Sequence, residues 1–139
     1  MKHFNESDNT KLIFFLNEWS KNPSGKNFEK VMYELINGNS YLLLPSTAEA
    51  LGNRTFIIAD SKTMLPLTCI YKVDGIRVLG AFTDETSLYS WSKNSSHYIA
   101  MSSKEILKMC EMNDIYKIVI NSDSPDIFLV QRKGGKLSL

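Results

Sequence analysis

The residues of this sequence best able to do chemistry at neutral pH are its two histidines. His97 precedes Tyr98 at the start of an apolar run, and His3 lies near the amino terminus. A catalytic histidine needs a positioned partner within hydrogen-bond reach, and a metal site needs further ligands at characteristic spacings. Neither histidine has a neighbour in the sequence that would serve, so we predict no catalytic residue, no metal site and no cofactor.

Two cysteines, Cys69 and Cys110, are the next candidates. Apolar residues adjoin both, among them Ile70 and Met109. A nucleophilic cysteine needs an electropositive, partly exposed setting, whereas an unreactive cysteine among apolar residues behaves as a small hydrophobe. We therefore expect two buried thiols in a reducing cytoplasm, with one Cys69–Cys110 disulfide as the alternative.

Carboxylates and amides form two clusters with some resemblance to sites. Asp84 and Glu85 could act as an acid–base pair, but they open a predicted helix, whose dipole stabilises each acid by about 0.3–1 kcal/mol. Residues 121–126 resemble a calcium loop. An EF-hand needs glycine at its sixth position and glutamate at its twelfth, where this sequence has Asp126 and Arg132. Helix capping and turn formation explain both clusters better than chemistry does.

Two helical patterns open the chain and predict an N-terminal helical hairpin. Asp8 or Asn9 is placed to cap the first helix. Residues 22–25, which include proline and glycine, separate the two helices, and Asn37-Gly38 predicts the end of the second. The apolar positions that recur at helical spacing are Leu12, Ile13, Phe15, Leu16 and Trp19 in the first helix, and Phe28, Val31, Met32, Leu35 and Ile36 in the second.

Seven strand patterns and two further helices follow. Thr83 is placed to cap the third helix, and Ser102 opens a capping box with Glu105 at the fourth. Asp74-Gly75 predicts a two-residue hairpin turn, because glycine accepts the positive φ that such turns need. Strands are predicted at residues 41–45, 55–59, 66–73, 76–82, 97–101, 116–120 and 127–131, the first of them buried on both faces.

This order of elements predicts an α/β (α+β) fold. We expect a mixed β-sheet of about six to seven strands, flanked by the helical hairpin and the two further helices. A chain of 139 residues is the size of one domain. Residues 1–7 and 132–139 are expected to be mobile tails of that single domain.

Charge and hydropathy exclude several classes of protein. The formal net charge is +1, with acids and bases interspersed, whereas nucleic-acid-binding domains carry a basic excess. No run approaches the roughly 18 apolar residues that cross a bilayer, and no secretory signal opens the sequence. We therefore expect a cytoplasmic protein that binds neither nucleic acid nor membrane, and the composition leaves its oligomeric state open.

Two local sequence patterns, residues 79–84 and residues 118–125, occur together with this order of helices and strands. In this combination the chain resembles the N-terminal domain of the bacterial SseB family over most of its length, most clearly over residues 81–131. The resemblance implies a mixed sheet flanked by helices and no established enzyme activity. Residues 46–66 match the family least, and the second domain found in longer members is not expected here.

These observations favour a non-enzymatic protein-binding or regulatory module with an unidentified protein partner. One alternative is an immunity or antitoxin protein that neutralises a partner toxin. Another is a small-ligand-binding protein or an enzyme. Its pocket would bring Ser102, Asn121 and Asp123 together, provided that strands 97–101 and 116–120 are parallel neighbours.

Phe14 is a separate candidate for partner binding. It lies next to Phe15, off the helix face defined by Leu12, Leu16 and Trp19. An exposed phenylalanine there could seed a contact patch. Packing against the neighbouring helix is an equally good interpretation, since isolated exposed apolar residues are common.

Overall fold

The structure, a computed structural model, describes residues 9–47, 51–52, 54–62, 70–92, 97–133 and 136–137; residues 132–133 and 136–137 are described by their backbone alone. The helices are α1 (Thr10–Lys21), α2 (Gly25–Asn37), α3 (Glu85–Ser92) and α4 (Ser103–Met112). The strands are β1 (Tyr41–Ser46), β2 (Phe56–Ala59), β3 (Ile70–Val73), β4 (Ile76–Ala81), β5 (His97–Ser102), β6 (Lys117–Ile120), β7 (Phe128–Lys133) and β8 (Lys136–Leu137).

This order confirms the predicted α+β fold with its N-terminal helical hairpin. The apolar faces of α1 and α2 meet the core through buried leucine, valine and methionine side chains: Leu12, Leu16, Val31, Met32 and Leu35. Ser24 begins α2 as its cap, since its hydroxyl accepts a hydrogen bond from the backbone N–H of Asn27 at 3.2 Å. Of the predicted strand at residues 66–73, only Ile70–Val73 falls within the described residues.

The start of α1 differs from the prediction that Asp8 or Asn9 caps it. Asn9 holds the cap position, but its side chain makes no capping bond. Its Nδ2 instead donates to the carbonyls of Tyr41 and Thr83, each at 2.6 Å, and its Oδ1 accepts from the Tyr41 N–H at 2.8 Å. The amide is fully buried, so it satisfies backbone groups of other elements rather than those of its own helix. Asp8 lies outside the described residues.

The strands form two sheets where the sequence predicted one. The first sheet has the order β1-β5-β2, with β1 antiparallel and β2 parallel to β5. The second has the order β3-β4-β6-β7-β8, in which β4 and β6 are parallel and the other pairs are antiparallel. Both sheets are therefore mixed, as predicted.

One pair of residues joins the two sheets. The N–H of Leu43 donates to the carbonyl of Phe82 at 2.7 Å, and the N–H of Phe82 donates to the carbonyl of Leu43 at 2.9 Å. The edge of β4 away from β6 thus pairs first with β3 and then, just past its end, with β1. The strands form two sheets because β3 and β1 follow one another along the same edge of β4 and pair with different parts of it.

Side chains on the inner faces of both sheets form the main core with α1, α2 and α4. The outer face of the first sheet is also covered: Tyr41, Leu43, Tyr98 and Ala100 pack with Leu88 of α3 in a second apolar cluster that includes Phe82. Every residue of β1 is buried, which confirms the prediction of a strand covered on both faces.

Within residues 132–139, for which a mobile tail was predicted, residues 132–133 and 136–137 are described, and they belong to paired strands. Strand β7 continues to Lys133, and its last residues pair with β8 in the register Arg132↔Leu137 and Lys133↔Lys136. This pairing gives partners to backbone groups that would otherwise remain unpaired at the edge of the sheet. The predicted tail at residues 1–7 lies outside the described residues.

None of the helices that the structure describes is long and apolar enough to span a bilayer.

Candidate functional site

The outer face of the second sheet is mainly apolar and is exposed at four apolar positions, although Val78 on the same face is buried. Strand alternation places Tyr71, Val73, Ile76 and Leu129 on this face, opposite the core residues Ile70, Leu79 and Val130. Their exposed fractions are 44 % for Tyr71, 48 % for Val73, 39 % for Ile76 and 50 % for Leu129. Helix α3 covers the corresponding face of the first sheet, so the difference between the two sheets marks a surface suited to contact.

Two rows of side chains cross this outer face. In the first row Tyr71, Val78, Lys117 and Gln131 lie side by side across β3, β4, β6 and β7. In the second, Gly80, Val119 and Leu129 lie side by side across β4, β6 and β7. The aromatic ring of Tyr71 lies over the open space above Gly80, where an added Cβ would stand 3.7 Å from Tyr71 Cε1.

An aromatic cleft opens at the junction of the two sheets. Its volume is about 470 Å³, and its lining residues are Pro45, Tyr71, Gly80, Phe82, Trp91 and Ser122. The rings of Phe82 and Trp91 have their centroids 5.4 Å apart. The cleft lies beside the edge of β4, where pairing passes from β3 to β1, and it continues the outer face of the second sheet.

Tyr71 contributes to both the outer face and the cleft. Partial burial raises the pKa of its phenol, because desolvation disfavours the charged phenolate. The hydroxyl therefore remains a neutral hydrogen-bond donor and acceptor throughout the neutral range. A neutral aromatic group with a polar tip suits a contact surface that is partly wet.

Lys117 is the charged side chain in the two rows of the outer face, among the residues that the structure describes. It is half-buried between apolar and polar neighbours, with Val78 on one side and Gln131 on the other. No carboxylate of the described residues forms an ion pair with it. The ammonium group places a positive charge in the first row of this face, between Val78 and Gln131.

A buried polar network holds the floor of the cleft in place. Asn121, which follows β6 with a φ of 59°, turns its amide back toward the end of β4. Its Oδ1 accepts from the Thr83 N–H at 3.0 Å, and its Nδ2 donates to Thr83 Oγ1 at 3.1 Å. Asn9 binds the carbonyl of the same threonine. Thr83 is thus held from two sides, and Phe82 and Ser122, which line the cleft, adjoin these anchored residues.

The cap of α3 is Asp84, where Thr83 was predicted. Asp84 Oδ1 accepts from the Ser87 N–H at 2.7 Å, and the Asp84 carbonyl accepts from the Leu88 N–H at 3.1 Å. Thr83 Oγ1 instead donates to Asp84 Oδ2 at 2.9 Å and accepts from Asn121. The threonine prediction was wrong because this hydroxyl is used in a long-range contact. The Ser102 cap of α4 is confirmed, since its hydroxyl accepts from the Glu105 N–H at 3.3 Å.

The structure does not bring Ser102, Asn121 and Asp123 together as a pocket in the predicted way. Strands β5 and β6 belong to different sheets and are not neighbours, so the condition for that pocket fails. Ser102 caps a helix, and Asn121 is fully buried. Asp123 is exposed and lines a shallow hollow of about 230 Å³, whose other lining residues are Thr86, Ser87, Ser90, Ser122, Ser124 and Pro125.

Phe14 is exposed over 57 % of its surface and touches Phe15 edge-on, with ring centroids 5.9 Å apart. Of its two interpretations, the exposed one is therefore observed. Cys110 is buried, and Cys69 lies outside the described residues. Within the described part of the chain, no three histidine, cysteine or acidic residues are grouped as a metal site would require.

The outer face and the cleft were missed by the sequence interpretation. The apolar runs within residues 116–120 and 127–131 gave a usable signal, because Val119 and Leu129 are apolar at positions that point away from the core. A continuous apolar run predicts a strand buried on both faces. The run at residues 41–45 is covered on both sides, whereas β7 is not, and this difference depends on where α3 packs.

Fold and site together define a class of protein: a mixed α+β domain in which an aromatic cleft adjoins a sheet face with exposed apolar side chains. The model of the SseB protein N-terminal domain matches residues 15–134, and the chain belongs to that family. Comparison with curated proteins gave no match, and comparison with solved structures gave none.

Proposed function

We propose that this chain is a non-enzymatic protein-binding or regulatory module, and that it binds its partner through the outer face of the second sheet and the adjoining aromatic cleft. The observation that carries the proposal is the exposure of Tyr71, Val73, Ile76 and Leu129 together on one sheet face. Aromatic side chains such as Tyr71 are enriched at the centre of protein interfaces, and the aliphatic side chains on the same face add apolar area around it.

The buried network around Thr83 and Asn121 supports the same proposal. Its hydrogen bonds are directed to backbone groups and to each other, which is an arrangement that stabilises a fold. A catalytic site would need a reactive group placed beside a cavity. Among the described residues that line the cleft, the polar groups are the Tyr71 phenol and the Ser122 hydroxyl, and neither has a base beside it in that lining.

An immunity or antitoxin protein would be one form of this function. The same open face would then cover a toxin's site. The near-neutral charge gives no particular support, because many such inhibitors carry a strong charge that matches their target. A toxin encoded next to this chain and bound through Leu129 would establish that form.

A small-ligand-binding protein is the second candidate, and one observation favours it. The cleft volume of about 470 Å³ falls in the range of roughly 300–1,000 Å³ that drug-sized ligands occupy, and its lining is mainly apolar. A ligand confined to the cleft would contact Trp91 and Phe82 but would leave Leu129, at the far side of the sheet, in solvent.

The experiment compares the partner captured by four versions of the tagged chain in the cells that naturally produce it. Leu129→Glu places a charge on the outer face, Trp91→Ala opens the cleft, Phe14→Glu changes α1, and Tyr33→Glu changes an exposed position of α2. The partner is identified by mass spectrometry, purified, and titrated against each variant by calorimetry. Leu129→Glu should weaken its binding at least about tenfold, as expected at the centre of an interface.

The matched controls decide between the surfaces. Tyr33 is 68 % exposed, so its variant reports what a new surface charge does by itself. Equal binding by wild type and Leu129→Glu, or a loss confined to Phe14→Glu, would place the contact elsewhere and overturn the proposal. Binding of a metabolite that depends on Trp91 and not on Leu129 would establish the small-ligand candidate.

A further inference from the structure

The aromatic cleft and the shallow hollow beside Asp123 adjoin one another, and Ser122 lines both of them. From the order and the chemistry of these two cavities we infer that they bind one nucleoside, with its base in the cleft and its ribose in the hollow. The inference deepens the small-ligand candidate for the proposed function. It rests on the cleft and the hollow, and it requires neither Leu129 nor a protein partner.

Helix α3 sets the distance between the two parts of the ligand. Trp91 lines the cleft, and Ser87 lines the hollow. These two residues are four apart in α3, so they lie on the same face of the helix, about 6 Å apart along its axis. A ring beside Trp91 and a polar group beside Ser87 must therefore be joined directly, as the base and the ribose of a nucleoside are. A long spacer between the two parts would not fit.

The walls of the cleft favour a flat aromatic ring. Tyr71 and Trp91 are both partly exposed, so their rings are accessible for stacking. Phe82 is buried and packs against Trp91, and Gly80 adds no side chain that would fill the cleft. Stacking on aromatic side chains is a common way for proteins to bind nucleobases.

The polar groups of the cleft favour a ring with nitrogen and oxygen atoms at its edge. The hydroxyls of Tyr71 and Ser122 lie in the lining, and each can donate and accept a hydrogen bond. A hydrocarbon ring would cover these hydroxyls without replacing their bonds to water, which costs free energy. A nucleobase carries donors and acceptors at its edge, so it can replace those bonds.

The hollow is lined by hydroxyl groups and one carboxylate. The side chains of Thr86, Ser87, Ser90 and Asp123 form no hydrogen bond with other residues in the part of the chain that the structure describes. A vicinal diol donates to a carboxylate and also accepts from serine and threonine hydroxyls, whereas an ammonium group only donates. The diol of a ribose therefore suits this lining better than an amine does. Dinucleotide-binding domains likewise use a carboxylate to bind a ribose hydroxyl.

Charge favours a nucleoside over a nucleotide. Asp123 carries a negative charge, and the described residues that line the two cavities include no lysine, arginine or histidine. A phosphate placed in the hollow would meet a like charge with no cation to offset it, and such contacts are unfavourable.

Titration of the isotope-labelled chain with adenosine, followed by NMR, tests the inference. The indole N–H of Trp91 and the amides of residues 122–124 should shift together, while the indole N–H of Trp19 provides an internal control. Wild type should bind with a Kd below about 1 mM. Trp91→Ala should raise that Kd at least about tenfold, because the stacking contact is lost.

A second comparison isolates the diol. Wild type should bind 2′,3′-dideoxyadenosine about fivefold more weakly than adenosine, because this analogue lacks the two hydroxyls that donate to Asp123. Asp123→Gly should bind both compounds equally, since glycine accepts the φ of 62° at this position but offers no carboxylate. Asp74→Gly is the matched control. Asp74 is also exposed and has a φ of 52°, and its variant should keep the preference for adenosine.

Other outcomes overturn the inference. Failure of both adenosine and cytidine to bind, equal binding of adenosine and its dideoxy analogue by wild type, or tighter binding of adenosine 5′-monophosphate than of adenosine would each contradict it. Tryptamine that binds more tightly than adenosine and depends on Asp123 would assign the site to aromatic amines instead.

The result is separable from that of the protein-binding function. Leu129→Glu should leave the Kd for adenosine unchanged, because Leu129 lies on β7 and outside both cavities. A chain that captures its partner through Leu129 but binds no nucleoside would sustain the protein-binding function and end this inference alone.

Discussion

The side-chain oxygen of Asn121 accepts a hydrogen bond from the backbone N–H of Thr83 at 3.0 Å. This contact links the residues that follow β6 and β4, the two parallel strands at the centre of the second sheet. Asn9 binds the carbonyl of the same threonine from the start of α1. Three segments distant in sequence are thus held at one backbone position, beside the cleft that we assign to partner binding.

Replacing Asn121 should strongly destabilise the fold. Asn121→Ala leaves the buried Thr83 N–H without its acceptor and forces alanine to adopt a φ of 59°. Each effect costs about 1–3 kcal/mol, so we expect the free energy of unfolding to fall by about 3 kcal/mol. Urea unfolding followed by circular dichroism measures it.

Two control variants separate these effects. Asn121→Gly accepts the positive φ and loses only the hydrogen bonds, so it should still cost about 2 kcal/mol. Asn17→Ala changes an exposed asparagine of α1 and should cost under about 0.5 kcal/mol. A wild-type unfolding curve for Asn121→Gly would contradict the structural role of the amide.

Gly38 should not tolerate a side chain. An added Cβ would overlap Glu34 Oε2 and stand 2.6 Å from the Glu34 carbonyl oxygen. The Glu34 carboxylate is buried and accepts a hydrogen bond from Ser40 Oγ at 2.9 Å, so it has little room to move. Gly38→Ala should lower the free energy of unfolding by about 1–3 kcal/mol in thermal or urea unfolding.

Gly25 provides the matched control for that variant. Nothing lies within 4 Å of a Cβ added there, at the first residue of α2. Gly25→Ala should leave stability unchanged or raise it by up to about 1 kcal/mol, because alanine favours the helix. Equal effects of the two alanine variants would show that the close contact with Glu34 is not formed.

Replacement by serine should destabilise the fold to very different extents at two adjacent residues of β7. Val130 is buried in the core, so Val130→Ser loses apolar burial and places a hydroxyl there, at a cost of about 3 kcal/mol. Leu129 lies on the outer face, half exposed, and Leu129→Ser should cost under about 1 kcal/mol. Parallel thermal melts measure both, and a reversed order would show that the register of β7 is shifted by one residue.

The free energy of unfolding at alkaline pH should report the partial burial of the Tyr71 phenol. Because its pKa is raised by desolvation, the folded state holds the phenolic proton to higher pH than the unfolded chain does. The stabilisation that Tyr71 contributes is fully present below the pKa of its phenol in the unfolded chain. It is lost as the pH rises through the pKa of the phenol in the folded state. Between about pH 9 and about pH 11.5, Tyr71→Phe should therefore lose less unfolding free energy than wild type. If the free energy of unfolding changed equally with pH for wild type and Tyr71→Phe, this expectation would be contradicted.

The sequence predicted the elements well because local rules determine them. Apolar spacing located the helical hairpin, and Asp74-Gly75 located a tight turn in which both residues have positive φ, at 52° and 82°. Asn37-Gly38 correctly marked the end of α2, although for a different reason. Gly38 has a φ of −85°, and the glycine is required by the adjacent Glu34 carboxylate rather than by a left-handed backbone.

The site could not be predicted in the same way because it depends on pairings between distant strands. Thr83 has the sequence pattern of a cap, but its hydroxyl contacts Asn121, which is 38 residues away. The two sheets are joined by one pair, Leu43 and Phe82, whose backbones exchange two hydrogen bonds. Whether the outer side of an alternating strand meets solvent or a helix is decided by this topology, and periodicity carries no information about it.

The most direct test of the contact surface is site-specific photo-crosslinking in the producing cells. A benzophenone amino acid replaces Leu129 on the outer face in one strain, and Tyr33 on α2 in another. Our account predicts a discrete crosslinked product from position 129 and no such product from position 33. A product from position 33 alone, or no product at position 129 from a folded chain, would contradict it.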